Sequence, residues 1–331
     1  MCYASGVRVD ETTARIKALS DGWADVAGDS DAALAARVRA DKIDVLVDLG
    51  GHTSGNRLGA FALRPAPVQV TWLGYPNTTG LAAIEYRVTD AVADPPGPDD
   101  ARYPERLARL DGGFLCYEPW ADAPAVSPPP AARDGAVTFG SFNNLSKLNA
   151  RVVALWSRVL GAAPASTLLL KSSPLADAGT RALVERRFAA HGVGRERLRL
   201  AGEEPTVRRH LARYAEVDVA LDPFPYNGTT TTCEALWMGV PVVTLAGDRH
   251  AARVGADLLH RVGLDDLVAP DEDAYVARAA RLAHDRSALA ARRAAQRELV
   301  ARSPLCDRAA FARAMASAWR AMWQRWCSEG G

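Results

Sequence analysis

A threonine-rich turn is the part of the sequence whose residue types best fit a chemical role. Residues 222–234 read DPFPYNGTTTTCE and follow an apolar run that predicts a strand. The pattern predicts that the threonines lie at the start of a helix, where the first backbone N–H groups lack internal partners and attract anions. Phosphate is the usual ligand of such a position, and Gly228 would let the backbone approach it closely. The carboxylate of Glu234, one turn further on, could accept hydrogen bonds from ribose hydroxyls.

A capping box is the alternative interpretation of the same residues. Thr231 and Glu234 have the spacing at which a hydroxyl and a carboxylate close a helix start without any ligand. The run of four threonines, and the Pro, Asn and Gly residues before it, favour the anion site. The two interpretations are compatible, since a capped helix still presents its remaining N–H groups.

Further candidate residues follow other predicted strands, at the ends where parallel sheets bind ligands. Lys147 stands in the run FNNLSK, near a predicted helix start, where a lysine is unfavourable unless an anion is present. It could therefore hold a diphosphate. Lys171 ends the next predicted strand and could support the same anion, but a solvated loop lysine is the favoured interpretation there. His210 could contact a nucleobase or be structural, and His52, after two glycines, could act in proton transfer or stand in a plain turn.

These residues need a parallel α/β framework, and the hydrophobic pattern predicts one. In the first part, strands are predicted at 43–49, 68–73 and 86–90, after a helix at 31–40. The second part predicts five consecutive β-α units, a doubly wound Rossmann-like domain, with strands at 137–141, 167–171, 197–200, 217–221 and 242–245. The Pro- and Ala-rich segment 119–133 predicts a linker. Helices at 272–284, 287–300 and 307–327 follow, and the Met/Trp stripe of the last predicts a core-facing side.

Composition excludes several classes of function. The chain has 331 residues, enough for two domains, and its net charge of +1 predicts neither a nucleic-acid partner nor an anionic membrane surface. No apolar run is long enough to cross a membrane. Five scattered cysteines without a CxxC pair indicate a reducing, cytoplasmic compartment and no zinc site. The chain also lacks the GxxxxGK[ST], GxGxxG and GxSxG patterns of P-loop ATPases, nicotinamide enzymes and α/β-hydrolases.

Three long motifs together resemble a known family. The run FALRPAPVQVTWLGYP at 61–76, FNNLSK at 142–147 and residues 222–244 resemble the catalytic region of O-linked N-acetylglucosamine transferases, including bacterial relatives and plant SPINDLY-type proteins. The resemblance covers about residues 1–325. It implies an α/β protein of GT-B type with two Rossmann-like lobes, and transfer of N-acetylglucosamine from UDP-GlcNAc to Ser/Thr hydroxyls of proteins. It also implies inversion at the sugar carbon, with no metal and no other cofactor.

The resemblance also implies domains and residue roles. The expected domains are a partial N-terminal lobe at 1–133 that ends in the linker, a UDP-binding lobe at 134–305, and an amphipathic helix at 306–331. Lys147 would neutralise charge on the departing UDP, and His52 lies in the active-site region of the first lobe. The resemblance leaves the general base open, and a phosphate oxygen of the donor could serve instead. The remaining implied contacts are Asn144, Thr230 and Thr231 on the diphosphate, Glu234 on the ribose, His210 beside the uracil, and Thr229 where animal enzymes have a histidine.

Two departures from the family leave alternatives open. Family members carry tetratricopeptide repeats before the catalytic region, and the sequence has none. Met1 also corresponds to a point inside the N-terminal lobe, so an opening strand and a histidine-bearing loop are expected to be missing. The alternatives are therefore a UDP-binding module with weak or no catalysis, or a variant that uses another sugar or an Asn acceptor.

Overall fold

A computed structural model describes residues 1–6 and 9–330. The chain divides into two compact units: Met1–Leu115 with Phe311–Gly331, and Cys116–Ala310. Every strand pairing in the described ranges is parallel, as the sequence predicts. None of the helices in these ranges combines the length and apolarity needed to cross a bilayer.

The first unit contains two parallel sheets. Strands β1 (Cys2–Ala4) and β2 (Trp23–Asp25) form a pair, and a four-stranded sheet has the order β3-β4-β5-β6. The strands of the larger sheet are β3 (Val45–Asp48), β4 (Val68–Thr71), β5 (Tyr86–Thr89) and β6 (Arg106–Arg109). The helices of this part are α1 (Glu11–Leu19), α2 (Asp31–Ala40) and α3 (Leu58–Ala62). The sequence predicted β3, β4, β5 and α2. It did not predict β1 and β2, which have only three residues each, or β6, whose sequence RLAR has no continuous apolar run.

The second unit is built on one six-stranded parallel sheet. Its strands are β7 (Thr138–Ser141), β8 (Thr167–Lys171), β9 (Leu198–Ala201), β10 (Val219–Leu221), β11 (Val242–Leu245) and β12 (Val268–Ala269). Its helices are α4 (Ala131–Asp134), α5 (Ala150–Ala162), α6 (Ala178–Ala189), α7 (Val207–Ala212), α8 (Thr230–Trp237), α9 (Val254–Val262), α10 (Glu272–His284) and α11 (Arg286–Arg302). The five predicted β-α units are confirmed.

The strand order of this sheet indicates where a ligand could bind. The order is β12-β11-β10-β7-β8-β9, so the chain moves one way from β7 to β9 and the other way from β10 to β12. The segments that leave β7 and β10 therefore diverge and open a crevice at the carboxyl ends of these neighbouring strands. FNNLSK follows β7 and the threonine-rich turn follows β10. The topology thus brings together two motifs about 80 residues apart.

The last helix, α12 (Arg308–Ser328), packs on the four-stranded sheet of the first unit. Met315 and Met322 are buried there, together with the sheet residues Val68, Val70 and Val88. The aromatic side chains that pack around them are Phe311, Trp319, Trp323 and Trp326. The core-facing interpretation of the Met/Trp stripe is confirmed, because the stripe supplies the apolar cover that the sheet lacks in its own segment of the chain.

The segment predicted as a linker packs on the second unit. The Tyr117 N–H donates to the Leu305 carbonyl at 2.8 Å, and Arg297 donates to the Pro124 carbonyl at 2.7 Å. Arg293 donates to the Ser127 carbonyl, also at 2.7 Å. The boundary between the compact units accordingly lies at Leu115, ahead of the predicted residue 133. Composition could not indicate this, because the segment is held through its backbone carbonyls by arginines from a distant helix.

Candidate functional site

The threonine-rich turn is held from beneath by a buried carboxylate. Asp222 follows β10, and its Oδ1 accepts the Gly228 N–H at 2.7 Å while its Oδ2 accepts the Thr244 hydroxyl at 2.7 Å. Burial raises the pKa of Asp222 to about 7, against the opposing effect of these two hydrogen bonds. Asn227 is also buried and donates through Nδ2 to the Pro223 carbonyl. The turn is therefore a fixed loop whose shape is set by side chains inside it.

Glycine is required at position 228 by its neighbours. A Cβ atom there would lie 2.6 Å from the Thr231 hydroxyl, 2.7 Å from the Thr232 hydroxyl and 3.0 Å from Asn143 Oδ1. The absent side chain leaves room for these polar atoms to converge on the start of α8. The prediction that Gly228 lets the backbone approach a phosphate closely stays a prediction.

The capping-box interpretation is wrong. Helix α8 begins at Thr230, its N-cap is Thr229, and no side chain makes a capping hydrogen bond. Glu234 instead accepts a hydrogen bond from His210 at 2.8 Å, and the Thr231 hydroxyl donates to Asn143 at 3.0 Å. The two side chains that would close the box are thus directed to other elements. The first N–H groups of the helix are left to a ligand or to solvent.

Lys147 lies against this turn. Its Nζ donates to the Asn227 carbonyl at 2.7 Å, lies 3.4 Å from Asn143 Oδ1, and stands 4.1 Å from the centre of the Tyr226 ring. Burial lowers the pKa of Lys147, and the charge of Asp222 opposes that shift. The cation and the helix start thus form one electropositive cluster, as expected of an anion site.

Asn143 is the amide that joins the two motifs. Its Oδ1 accepts from Thr231 and faces Lys147. Asn144, the neighbour that the resemblance pointed to, is exposed, and its Oδ1 accepts the Ser146 N–H at 2.9 Å. The contact of Asn144 with a phosphate stays a prediction, as do those of Thr229 and of the exposed Thr230. The sequence signal for Asn143 was present in FNNLSK, but only the fold distinguishes the two amides.

His210 and Glu234 form a second cluster beside the first. The imidazole Nε2 donates to Glu234 Oε2, and both side chains are largely buried. The Phe142 and Tyr214 rings lie 4.5 Å apart and both contact the His210 ring. The Tyr214 hydroxyl also donates to the Thr231 carbonyl at 3.1 Å. Flat rings next to a carboxylate suit a nucleoside, whose base stacks and whose ribose hydroxyls donate. The sequence had not indicated Tyr214.

Lys171 belongs to the same region. It ends β8 and is only 6% exposed, with its Nζ 5.3 Å from the centre of the Phe142 ring. The prediction of a solvated lysine here is wrong, because the residue lies at the floor between β7 and β9. Burial lowers the pKa of Lys171, and the nearby carboxylates of Glu234 and Glu204 oppose that shift.

His52 belongs to the first unit, in the loop after β3. Its Nε2 donates to the Thr79 carbonyl at 2.8 Å, and its ring meets the Tyr75 ring edge-on at 5.2 Å. Gly51 has a φ of +52°, and a Cβ there would lie 2.2 Å from Tyr75 Cβ, so glycine is required. Because a carbonyl only accepts, the Nε2 atom carries the proton and Nδ1 is the basic atom of the ring. This geometry is compatible with proton transfer.

No metal-ligand cluster is found in residues 1–6 and 9–330: nowhere there do three His, Cys, Asp or Glu side chains come together in a way that could hold an ion.

Comparison with known proteins accounts for this arrangement. Residues 1–120 and 131–315 match glycosyl transferase family 41. The chain belongs to that family. Such coverage includes both units and every candidate residue named above.

Relatives of the chain include plant proteins. A probable UDP-N-acetylglucosamine–peptide N-acetylglucosaminyltransferase, SPINDLY of Solanum lycopersicum, is 46% identical over 329 residues, which are 98% of this chain and 35% of that protein. The corresponding SEC protein of Arabidopsis thaliana is 30% identical over 341 residues, 99% of this chain and 34% of that protein. The chain thus spans about a third of the length of these curated relatives.

Solved structures agree on the fold. A mutant of the Thermobaculum terrenum O-GlcNAc transferase matches with a TM-score of 0.93 and 42% identity, over 100% of this chain and 62% of that one. Sucrose-phosphate synthase of Thermosynechococcus elongatus matches with a TM-score of 0.59 and 15% identity, over 89% of this chain and 77% of that one. The second likeness concerns the fold alone. The expected GT-B type of α/β fold is confirmed.

Proposed function

We propose that the protein transfers N-acetylglucosamine from UDP-GlcNAc to Ser or Thr hydroxyls of acceptor proteins, with inversion and without a metal or other cofactor. The observation that carries the proposal is the hydrogen bond from Lys147 to the Asn227 carbonyl, which places a cation at the start of α8. The names of the family relatives support the donor and the acceptor class.

In this reaction the bond between the anomeric carbon and the UDP oxygen breaks, and its electron pair goes to the β-phosphate. The acceptor oxygen bonds to the anomeric carbon from the opposite side and loses its proton. Negative charge therefore grows on the phosphate as the transition state forms. A fixed cation and the N–H groups of α8 stabilise that charge without having to reorganise.

The nucleoside part of the donor is proposed to bind at the second cluster. Glu234 would accept hydrogen bonds from the ribose hydroxyls, as carboxylates do in many nucleotide sites. The hydrogen bond from His210 holds one oxygen of this carboxylate in place, and the His210 ring would lie beside the uracil. Thr229, Thr230 and Thr231 would supply hydroxyl donors to the diphosphate, with Asn144 near it.

His52 is the proposed proton acceptor of the first unit. The hydrogen bond from Nε2 to the Thr79 carbonyl fixes the tautomer in which Nδ1 is basic.

The five free cysteines support a reducing compartment such as the cytoplasm.

Lys147→Met tests the proposal. Loss of a group that acts on transition-state charge is expected to lower turnover of UDP-GlcNAc roughly 100- to 1000-fold while UDP affinity changes by less than about tenfold. Calorimetry with UDP and a radiolabelled transfer assay measure the two quantities. Lys42→Met, at an exposed lysine of the first unit, is the matched control and should leave both unchanged.

The same assays separate the alternatives. Turnover that survives in Lys147→Met at the wild-type rate would refute the role of this residue. UDP binding without transfer to any acceptor would favour a nucleotide-binding module. Transfer from another nucleotide sugar in a donor screen, or onto Asn, would identify a family variant.

A further inference from the structure

Lys171 has an unusual environment for a lysine. The side chain is more than nine-tenths buried, and within the described ranges its Nζ has neither a hydrogen-bond acceptor nor an ion-pair partner. Its Nζ lies 5.3 Å from the centre of the Phe142 ring. Buried polar groups in proteins are nearly always hydrogen-bonded. An ammonium kept in such a place without an acceptor indicates that the acceptor comes from a ligand.

The position of Lys171 in the sheet agrees with a ligand contact. It is the last residue of β8, which is paired with β7 on one side and β9 on the other. Together with Asn143 and Lys147 it lines a small cavity of about 20 Å³ beneath the FNNLSK segment. This is the carboxyl edge of the sheet, where ligands of doubly wound folds bind.

The charges around Lys171 indicate which part of the ligand it faces. The acidic groups that act on it are Glu234, Glu204 and Glu203, and the nearby cation is Arg213. Glu234 belongs to the proposed nucleoside cluster, and the other three come from the segment between β9 and β10. Asp222, which acts on Lys147 beneath the diphosphate turn, is not among the groups that act on Lys171. The two lysines therefore face different halves of the site.

We propose that Lys171 is a specificity-determining residue that donates a hydrogen bond to a carbonyl oxygen of the donor's base. This inference rests on the proposed function, which places a nucleoside diphosphate in the crevice. A lysine ammonium only donates, so its partner must be an acceptor oxygen. The α8 start and Lys147 serve the diphosphate, and Glu234 serves the ribose hydroxyls. The carbonyl oxygens of the base are the acceptors that remain.

The first measurement establishes the nucleotide. Calorimetry of the wild-type chain with UDP, GDP and ADP identifies which diphosphate binds. Preference for GDP would overturn the proposed donor alone, and the Lys171 series is then run on GDP, whose base has a carbonyl oxygen. Preference for ADP would overturn both the proposed donor and the role of Lys171, because adenine has no carbonyl oxygen. If none of the three binds, the proposed function and the role of Lys171 both fail.

Lys171→Met is then compared with the wild type for three ligands: UDP, UMP and inorganic pyrophosphate. Loss of one charge-assisted hydrogen bond is expected to weaken the binding of UDP and of UMP equally, by roughly 10- to 100-fold, and to leave the affinity for pyrophosphate unchanged. Lys17→Met, at an exposed lysine, is the matched control and should behave as wild type. A loss of pyrophosphate affinity that parallels the loss for UDP would assign Lys171 to the phosphates, and unchanged UDP affinity would exclude any ligand contact. Either result overturns the proposal.

Apo stability distinguishes a ligand contact from a structural role. An unpaired buried ammonium is unfavourable. Lys171→Met is therefore expected to keep or raise the thermal midpoint of the ligand-free protein while it weakens UDP binding. If the midpoint falls, Lys171→Arg, which keeps a cationic donor, decides the matter. Retained UDP affinity in Lys171→Arg supports the proposal, and a loss equal to that of Lys171→Met overturns it.

Discussion

Arg293 is expected to be a major contributor to the stability of the second unit. Its guanidinium is only 1% exposed and donates to the Ser127 carbonyl at 2.7 Å and the Tyr214 carbonyl at 2.9 Å. A third hydrogen bond goes to the Val217 carbonyl. Burial lowers the pKa of Arg293 to about 10, with Asp218 opposing the shift. One side chain thus ties α11 to the entry segment of the unit and to the chain that precedes β10.

The magnitude of its removal follows from these contacts. Hydrogen bonds to a charged group contribute about 1.5–3 kcal/mol each, so three of them would sum to about 4.5–9 kcal/mol. The sum is an upper bound, because Arg293→Met also removes the cost of burying the charge. The variant leaves three buried carbonyl oxygens without this donor, and each unsatisfied acceptor costs about 1–3 kcal/mol, so we expect a loss of about 3–5 kcal/mol.

Urea denaturation followed by far-UV circular dichroism measures this change. The adjacent Arg292→Met is the matched control, since Arg292 makes a surface ion pair with Asp266 at 2.6 Å. Partly exposed pairs contribute about 0–1 kcal/mol, so the control should lose no more than that. An Arg293→Met protein as stable as the Arg292→Met protein would refute the reasoning. It would mean that the carbonyls find other donors at no cost.

Two further predictions concern the threonine-rich turn. Gly228→Ala should weaken UDP binding roughly tenfold or more in calorimetry, because its Cβ would lie within 3.0 Å of three polar atoms that shape the helix start. Wild-type affinity in this variant would show that the turn adapts. Asp222→Asn should flatten the pH dependence of unfolding. Burial raises the pKa of Asp222 to about 7 in the folded state, so the folded protein holds a proton there that the unfolded chain has lost. The stabilisation from this group is complete below about pH 4 and is lost as the pH rises through about 7, at about 1.4 kcal/mol per pH unit. Urea denaturation at pH 5, 6, 7 and 8 tests this, and parallel profiles for the variant and the wild type would contradict it.

Much of the second unit could be predicted from local pattern alone. Its strands are short, mainly apolar runs that alternate with helices, as expected of a parallel sheet with helices on its faces. The same regularity located Lys147, His210 and Glu234, since each follows a strand. Strands such as β1 and β2 were missed because three residues carry no usable period.

Which partner each side chain contacts could be learned only from the tertiary structure. Thr231 and Glu234 have capping-box spacing. In the fold, however, Thr231 donates to Asn143 and Glu234 accepts from His210, because these residues lie on neighbouring elements. Asn143 and Asn144 are equivalent as sequence, and a single turn exposes one and directs the other to Lys147.

The sequence by itself determined the family, the parallel α/β class and the residue types of the anion site, because these depend on local pattern and on motifs that stay contiguous in the chain. Only the tertiary structure decided that the supposed linker belongs to the second unit and that Lys171 is buried at the carboxyl end of β8. Both depend on contacts between segments far apart in sequence. Burial and hydrogen-bond partners are properties of the packed chain, and spacing along the sequence does not encode them.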